Sequence, residues 1–132
     1  MSVAKSCHYR EGALCGANLE TYGQNGRLRM GVFFLAIGLM MALAFEMYGA
    51  ARGWRFTLFI PFFMGAFGAF QGLYRTCPAH AAKGTREGVG PGHEERVINS
   101  SDVERSRRLS RKVLAFSLIN AVLATSVFVF LP

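Results

Sequence analysis

The chain has 132 residues, room for one domain, and 52% of them are hydrophobic against 17% charged. Three runs, residues 30–48, 56–74 and 113–131, are each 19 residues long, and Glu46 is the only charge in any of them. A helix needs about 20 apolar residues to cross a hydrocarbon core, and a helix on a small soluble globule would carry a polar face that these runs lack. Composition thus argues against a soluble fold.

The net charge of +7 is a topology signal rather than a nucleic-acid footprint. Of the 15 Lys and Arg, four precede the first run (Lys5, Arg10, Arg27, Arg29), two lie in the first connection (Arg52, Arg55), and nine lie in the second. By the positive-inside rule the N-terminus and the second connection are cytoplasmic. The expected fold is an all-α integral membrane protein with three transmembrane helices, its third helix extended into the cytoplasm. The expected location is a cell inner (plasma) membrane, multi-pass, with the C-terminus outside. Arg27, Arg29, Arg75, Arg108, Arg111 and Lys112 are expected at lipid headgroups.

In chain order, residues 1–29 form a polar cytoplasmic segment. Thr21 and Gln24 have capping-box spacing and Asn25-Gly26 is a turn signal, so the first helix is expected to start between them. That helix follows too long a polar stretch to be a cleaved signal, so it is expected to be retained. Residues 30–74 form a transmembrane hairpin with a short outer turn. Tyr48 and Trp54 lie at one interface, Tyr22 and Tyr74 at the other. Pro61 should kink the second helix or shift its start. Gly65, Gly68 and Gly72 recur at helical spacing and can seat a neighbouring backbone, with Gly38 and Ala42 offered by the first helix.

Residues 75–100, rich in Gly and charge, read as a flexible cytoplasmic loop. Ser101 and Glu104 form a capping box that opens an amphipathic-to-transmembrane helix over 101–132. Ser117 and Asn120 share one face of it, turned toward the hairpin or a partner. Glu46 lies close to Arg52 and Arg55 across the outer turn, where pairing with an arginine or snorkelling to water outweighs a proton relay.

No hydrolase triad, phosphate loop or intramembrane histidine is visible. The topology does bring Cys7, Cys15, Cys77 and His80 to one face, with His8 as a substitute ligand. Three thiolates and an imidazole suit a structural zinc ion, set against the plainer reading of free thiols and a solvated histidine.

Residues 25–84 also resemble the small two-helix inner-membrane domain found alone or fused to rhodanese domains. The likeness rests on Asn25-Gly26-Arg27-x-Arg29-x-Gly31, a short turn, a Gly-rich second helix and Cys77-Pro78. It implies a membrane module linked to sulfur or thiol traffic and transfers no catalytic residue. The favoured function is a small non-catalytic membrane subunit or scaffold, not an enzyme, whose partners are the bilayer and other membrane subunits but no nucleic acid. The alternatives are a thiol- or sulfur-handling protein using Cys77 and an oligomeric carrier or channel.

Overall fold

In the computed structural model the described residues are 18, 19, 21–88, 93–96 and 100–132. They form α1 (Thr21–Met47), a short α2 (Arg52–Arg55), a 3₁₀ turn (Phe56–Leu58), α3 (Phe59–Leu73), α4 (Pro78–Lys83), a two-stranded hairpin β1 (Thr85–Glu87) and β2 (Glu94–Arg96), and α5 (Ser100–Phe130). Three stretches, Thr21–Met47, Arg52–Leu73 and Ser100–Phe130, are long and apolar enough to cross a membrane. Lying between α1 and α5, α3 packs against both. One end of the bundle, the basic end, gathers the described residues among 18–29 and 74–112; the other holds the α1–α2 turn and the C-terminus of α5.

Helix α1 passes straight through Asn25-Gly26, where the sequence predicts a turn. Tertiary contact overrides the local signal there, because Gly72 of α3 seats against Leu28 and the Gln24 carbonyl. At its far end α1 stops on Gly49, whose φ of +62° is open to glycine, with the Ala50 N–H closing back on the Phe45 carbonyl at 2.9 Å. Pro61 leaves α3 unbroken. It is the third residue of the helix, where its missing N–H has no intrahelical partner to lose, and the 3₁₀ turn before it sets the shifted start. At the end of α3, Arg75 takes the left-handed conformation (φ +49°) and Thr76 N–H returns to Gln71 O at 3.0 Å.

The two seams differ in chemistry. Helix α1 buries only Gly31, Gly38 and Ala42. A Cβ added to Gly68 would lie 2.9 Å from Gly31 N, and one added to Gly31 would lie 2.5 Å from Ala69 N, so the backbones touch there. The partner of Gly68 is therefore Gly31 rather than Gly38 or Ala42. Gly38 faces Phe62 and Pro61, Ala42 enters the apolar core with Leu58, Phe62 and Ala121, and Gly65 faces Leu35.

Between α3 and α5 the seam is small and hydroxylic on one side and aromatic on the other. Helix α5 buries Ser106, Ser110, Val113, Ser117, Ala121, Thr125 and Val129, recurring every third or fourth residue. The Ser117 hydroxyl donates to Val113 O at 2.6 Å, which satisfies it inside an apolar seam. Alongside, Phe62 stacks on Phe128 and Phe116 packs on Phe70 and Tyr74.

Outside the seams the long helices present apolar side chains. Val32, Phe33, Met40, Leu43, Ile60, Leu118, Ile119 and Leu123 are all exposed. Tyr22 at the basic end and Tyr48 and Trp54 at the opposite end are also exposed, at the levels where amphipathic rings favour an interface.

Candidate functional site: polar clasps at the two ends of the bundle

At the turn end, one arginine ties together three parts of the chain. Arg55, 7% exposed, donates from Nε to Ala50 O (3.2 Å) and from Nη1 to Phe128 O (2.8 Å) and Leu131 O (3.2 Å). It also meets Glu46, with Nη1 2.9 Å from Oε1 and Nη2 donating to Oε2 at 3.4 Å. The last carbonyls of a helix have no partner within it, and here a planar guanidinium fork reaches those of α5 and the carboxylate of α1 at once. The expected pairing of Glu46 with an arginine holds, and Arg55 rather than Arg52 makes it.

At the basic end the centre is Asn18, 4% exposed. Its Nδ2 donates to Cys77 O (3.0 Å) and Ser106 Oγ (2.9 Å), and its Oδ1 accepts from Cys77 N (2.6 Å). Its backbone N–H and that of Leu19 donate to Arg75 O, and its carbonyl accepts from Glu87 N at 2.8 Å. One residue thus joins the end of α3, the start of α4, β1 and α5. Nothing in the sequence marks it: it is a single polar residue in a polar stretch, without period or motif.

The segment 75–100, expected to be a flexible loop, holds α4 and the β1–β2 hairpin, registered Thr85 with Arg96 and Glu87 with Glu94. Pro78 opens α4 where a missing N–H costs nothing, and Gly84, at φ +69°, closes it. These elements are too short for periodicity to reveal.

Of the expected metal set, Cys7, Cys15 and the substitute His8 lie outside the described residues. Cys77 is a buried free thiol whose Sγ accepts from Arg27 Nη2 at 3.7 Å. His80 Nδ1 lies 3.0 Å from Thr85 Oγ1 and 3.7 Å from Glu94 Oε1. The two side chains are therefore engaged with different partners, and among the described residues no three His, Cys, Asp or Glu are placed to share a metal ion. Burial also separates this thiol from the exposed, reactive kind that sulfur transfer requires.

The headgroup residues divide. Arg29, Arg111 and Lys112 are exposed, Arg108 lies 3.7 Å from Glu104, Arg75 is half-buried, and Arg27 is partly turned inward to Cys77. Ser117 faces the α3 seam as expected of one alternative. Asn120 does not: it is exposed midway along α5, with Nδ2 donating to Phe116 O of its own helix at 2.9 Å. Of the face expected to turn toward the hairpin or a partner, Ser117 meets the hairpin and Asn120 does not, because three residues along a helix turn a side chain by roughly 60° from its starting direction.

A mostly helical domain with three membrane-length helices, apolar on its flanks and polar at both ends, is the class that fold and clasps define. A family model, Bud site selection protein RAX1, C-terminal domain, matches residues 19–129, and the chain belongs to that family. No curated protein and no solved structure matches it. The family is eukaryotic, which overturns both the likeness to the rhodanese-associated two-helix domain and the placement in an inner membrane of bacterial type. The physical reason is that the glycines of the quoted motif serve close backbone packing in the hairpin and Pro78 opens α4, neither of which is particular to one family. The family match instead runs through α5 as well. The family takes its name from bud site selection and not from a reaction.

Proposed function

We propose that this chain is a non-catalytic membrane subunit that crosses the bilayer three times, with its basic end toward the cytosol, and docks other membrane subunits against α5. The basic residues ahead of α1 and between α3 and α5 support that orientation. The observation that carries the docking is Asn120. Its amide stands exposed beside Phe116 and Leu123, which lie within one turn on the same side of α5, and only one of its N–H groups is engaged, with Phe116 O. An amide facing hydrocarbon is costly, and a neighbouring helix that hydrogen-bonds it recovers about 1 kcal/mol. The structured basic end, where Asn18 joins the end of α3, the start of α4, β1 and α5, offers a second, cytosolic surface to the same assembly.

The test is extraction of the full chain from its native membranes in mild detergent, followed by size analysis and identification of co-purifying proteins. The native chain is expected in a complex larger than itself, with other integral membrane proteins at fixed ratio. Asn120→Leu, which removes the amide without touching either seam, should shift the chain toward free protein while its thermal transition stays unchanged. A native chain that elutes alone, or an Asn120→Leu variant with an undiminished complex, contradicts the reading.

A further inference from the structure

Helix α4 and the first turns of α5 border a shallow, open groove of about 350 Å³, lined by Pro78, Ala81 and Ala82 on one side and Arg107, Ser110 and Arg111 on the other. Arg107 and Arg111 stand one helical turn apart, so their guanidinium groups project over the same face. Arg107 is held in place, its Nε donating to Ala81 O at 3.4 Å, which leaves its Nη groups for another acceptor. Between the two arginines Ser110 is 7% exposed and lines the cleft. Among the described residues its hydroxyl makes no hydrogen bond, and neither arginine faces a carboxylate. From α4 the charged groups are His80, whose Nδ1 is turned to Thr85, and Lys83, 3.8 Å from Glu94. No acid lines the cleft. Two guanidiniums and a hydroxyl, beside an apolar wall and set one turn before the apolar run of α5 begins, form an acceptor-seeking groove at the depth of lipid headgroups.

We infer that this cleft binds the phosphate of an anionic phospholipid headgroup. The Nη groups of Arg107 and Arg111 clamp the phosphate oxygens, the Ser110 hydroxyl donates a further hydrogen bond, and Pro78, Ala81 and Ala82 meet the glycerol stem. The inference rests on the reading that α5 crosses a bilayer here.

Phosphatidic acid is the simplest probe, offered to the full chain alongside phosphatidylcholine and read as bound lipid by native mass spectrometry. The native chain should retain phosphatidic acid in preference. Arg111→Ala, at a side chain with no contact on which folding depends, should lower that retention roughly tenfold, the scale of one charge-assisted hydrogen bond. Ser110→Ala, a small change within the seam, should lower it by a smaller factor. Arg108→Ala with Lys112→Ala removes two charges from outside the cleft and should leave it within about twofold. Equal loss in that control would mean diffuse attraction and would overturn the site. Displacement of the lipid by millimolar inorganic phosphate would assign the cleft to a soluble anion and overturn the lipid assignment. A chain that stays in carbonate-washed vesicles yet shows no preference overturns the cleft alone; a chain released by carbonate overturns the membrane reading with it.

Discussion

Gly68→Leu is expected to destabilise the α1–α3 hairpin strongly, while Gly53→Leu leaves it unchanged. At Gly68 the first added carbon would sit 2.9 Å from Gly31 N, 3.0 Å from Arg27 O and 3.0 Å from Gly31 Cα. All three are backbone atoms, which cannot swing aside as a flexible side chain can. The two helices would have to separate by the thickness of a side chain. That forfeits the contacts of Ala42 with Leu58 and Phe62 at the other end of the seam. Overpacking a rigid seam typically costs about 1–3 kcal/mol, occasionally more, and a leucine wedged between two backbones belongs at the upper end. A side chain at Gly53 meets nothing within 4 Å and should change stability by no more than about 0.5 kcal/mol. Thermal unfolding of the two variants in one detergent separates these outcomes. Matching transitions would show that the glycine seam does not hold the hairpin.

The second large effect is expected at the opposite end. Arg55→Leu strips α5 of the donor to Phe128 O and Leu131 O and leaves Glu46 without its cation. The arginine side chain is 9% exposed and the Glu46 side chain 32%, so water replaces only part of what is lost. Removing one partner of a buried ion pair costs about 3–5 kcal/mol, and the partial exposure of Glu46 places this case near the lower bound. Arg55→Lys should fall between leucine and native, because an ammonium is a point donor that cannot reach the α5 carbonyls and the carboxylate in the same planar fork. Arg52→Leu, at an exposed position, is the control and should be near neutral. Hydrogen exchange at the last turn of α5 reads the effect directly: faster exchange there in Arg55→Leu but not in Arg52→Leu. Equal exchange in both would remove Arg55 from its role as a helix cap.

What the sequence revealed, and what it hid, follows the range of each interaction. The three long helices could be read because 19 apolar residues are a composition signal that no local rule competes with. The pairing of Glu46 was legible because a lone acid near a lipid interface has few ways to be tolerated. The capping box at Ser101 and Glu104 places the start of α5 two residues late: the helix begins at Ser100, so Ser101 already lies within its first turn. Other features depend on contacts distant in the chain. Asn25-Gly26 is a turn by local preference and helix by packing. The mate of Gly68 proved to be Gly31, since a glycine pattern does not record which stretch of backbone it touches. The Cys77 thiol drew attention as a ligand, whereas the structure uses the Cys77 peptide group, both of whose polar atoms bond to the Asn18 amide across 59 positions. Asn120 was recognised as the polar residue of interest in α5, but its outward direction required the packing of α5 against α3.

Both the docking role and the headgroup cleft require three crossings with the basic end toward the cytosol. Glycosylation acceptor sites placed in turn after Gly88 and after Pro132 in the full chain, expressed in a eukaryotic host, test this in one gel. The site after Gly88, in the connection between α3 and α5, should remain unmodified, and the site after Pro132 should be glycosylated. The reverse pattern, or no modification at either position in a chain that carbonate releases from the membrane, would contradict it.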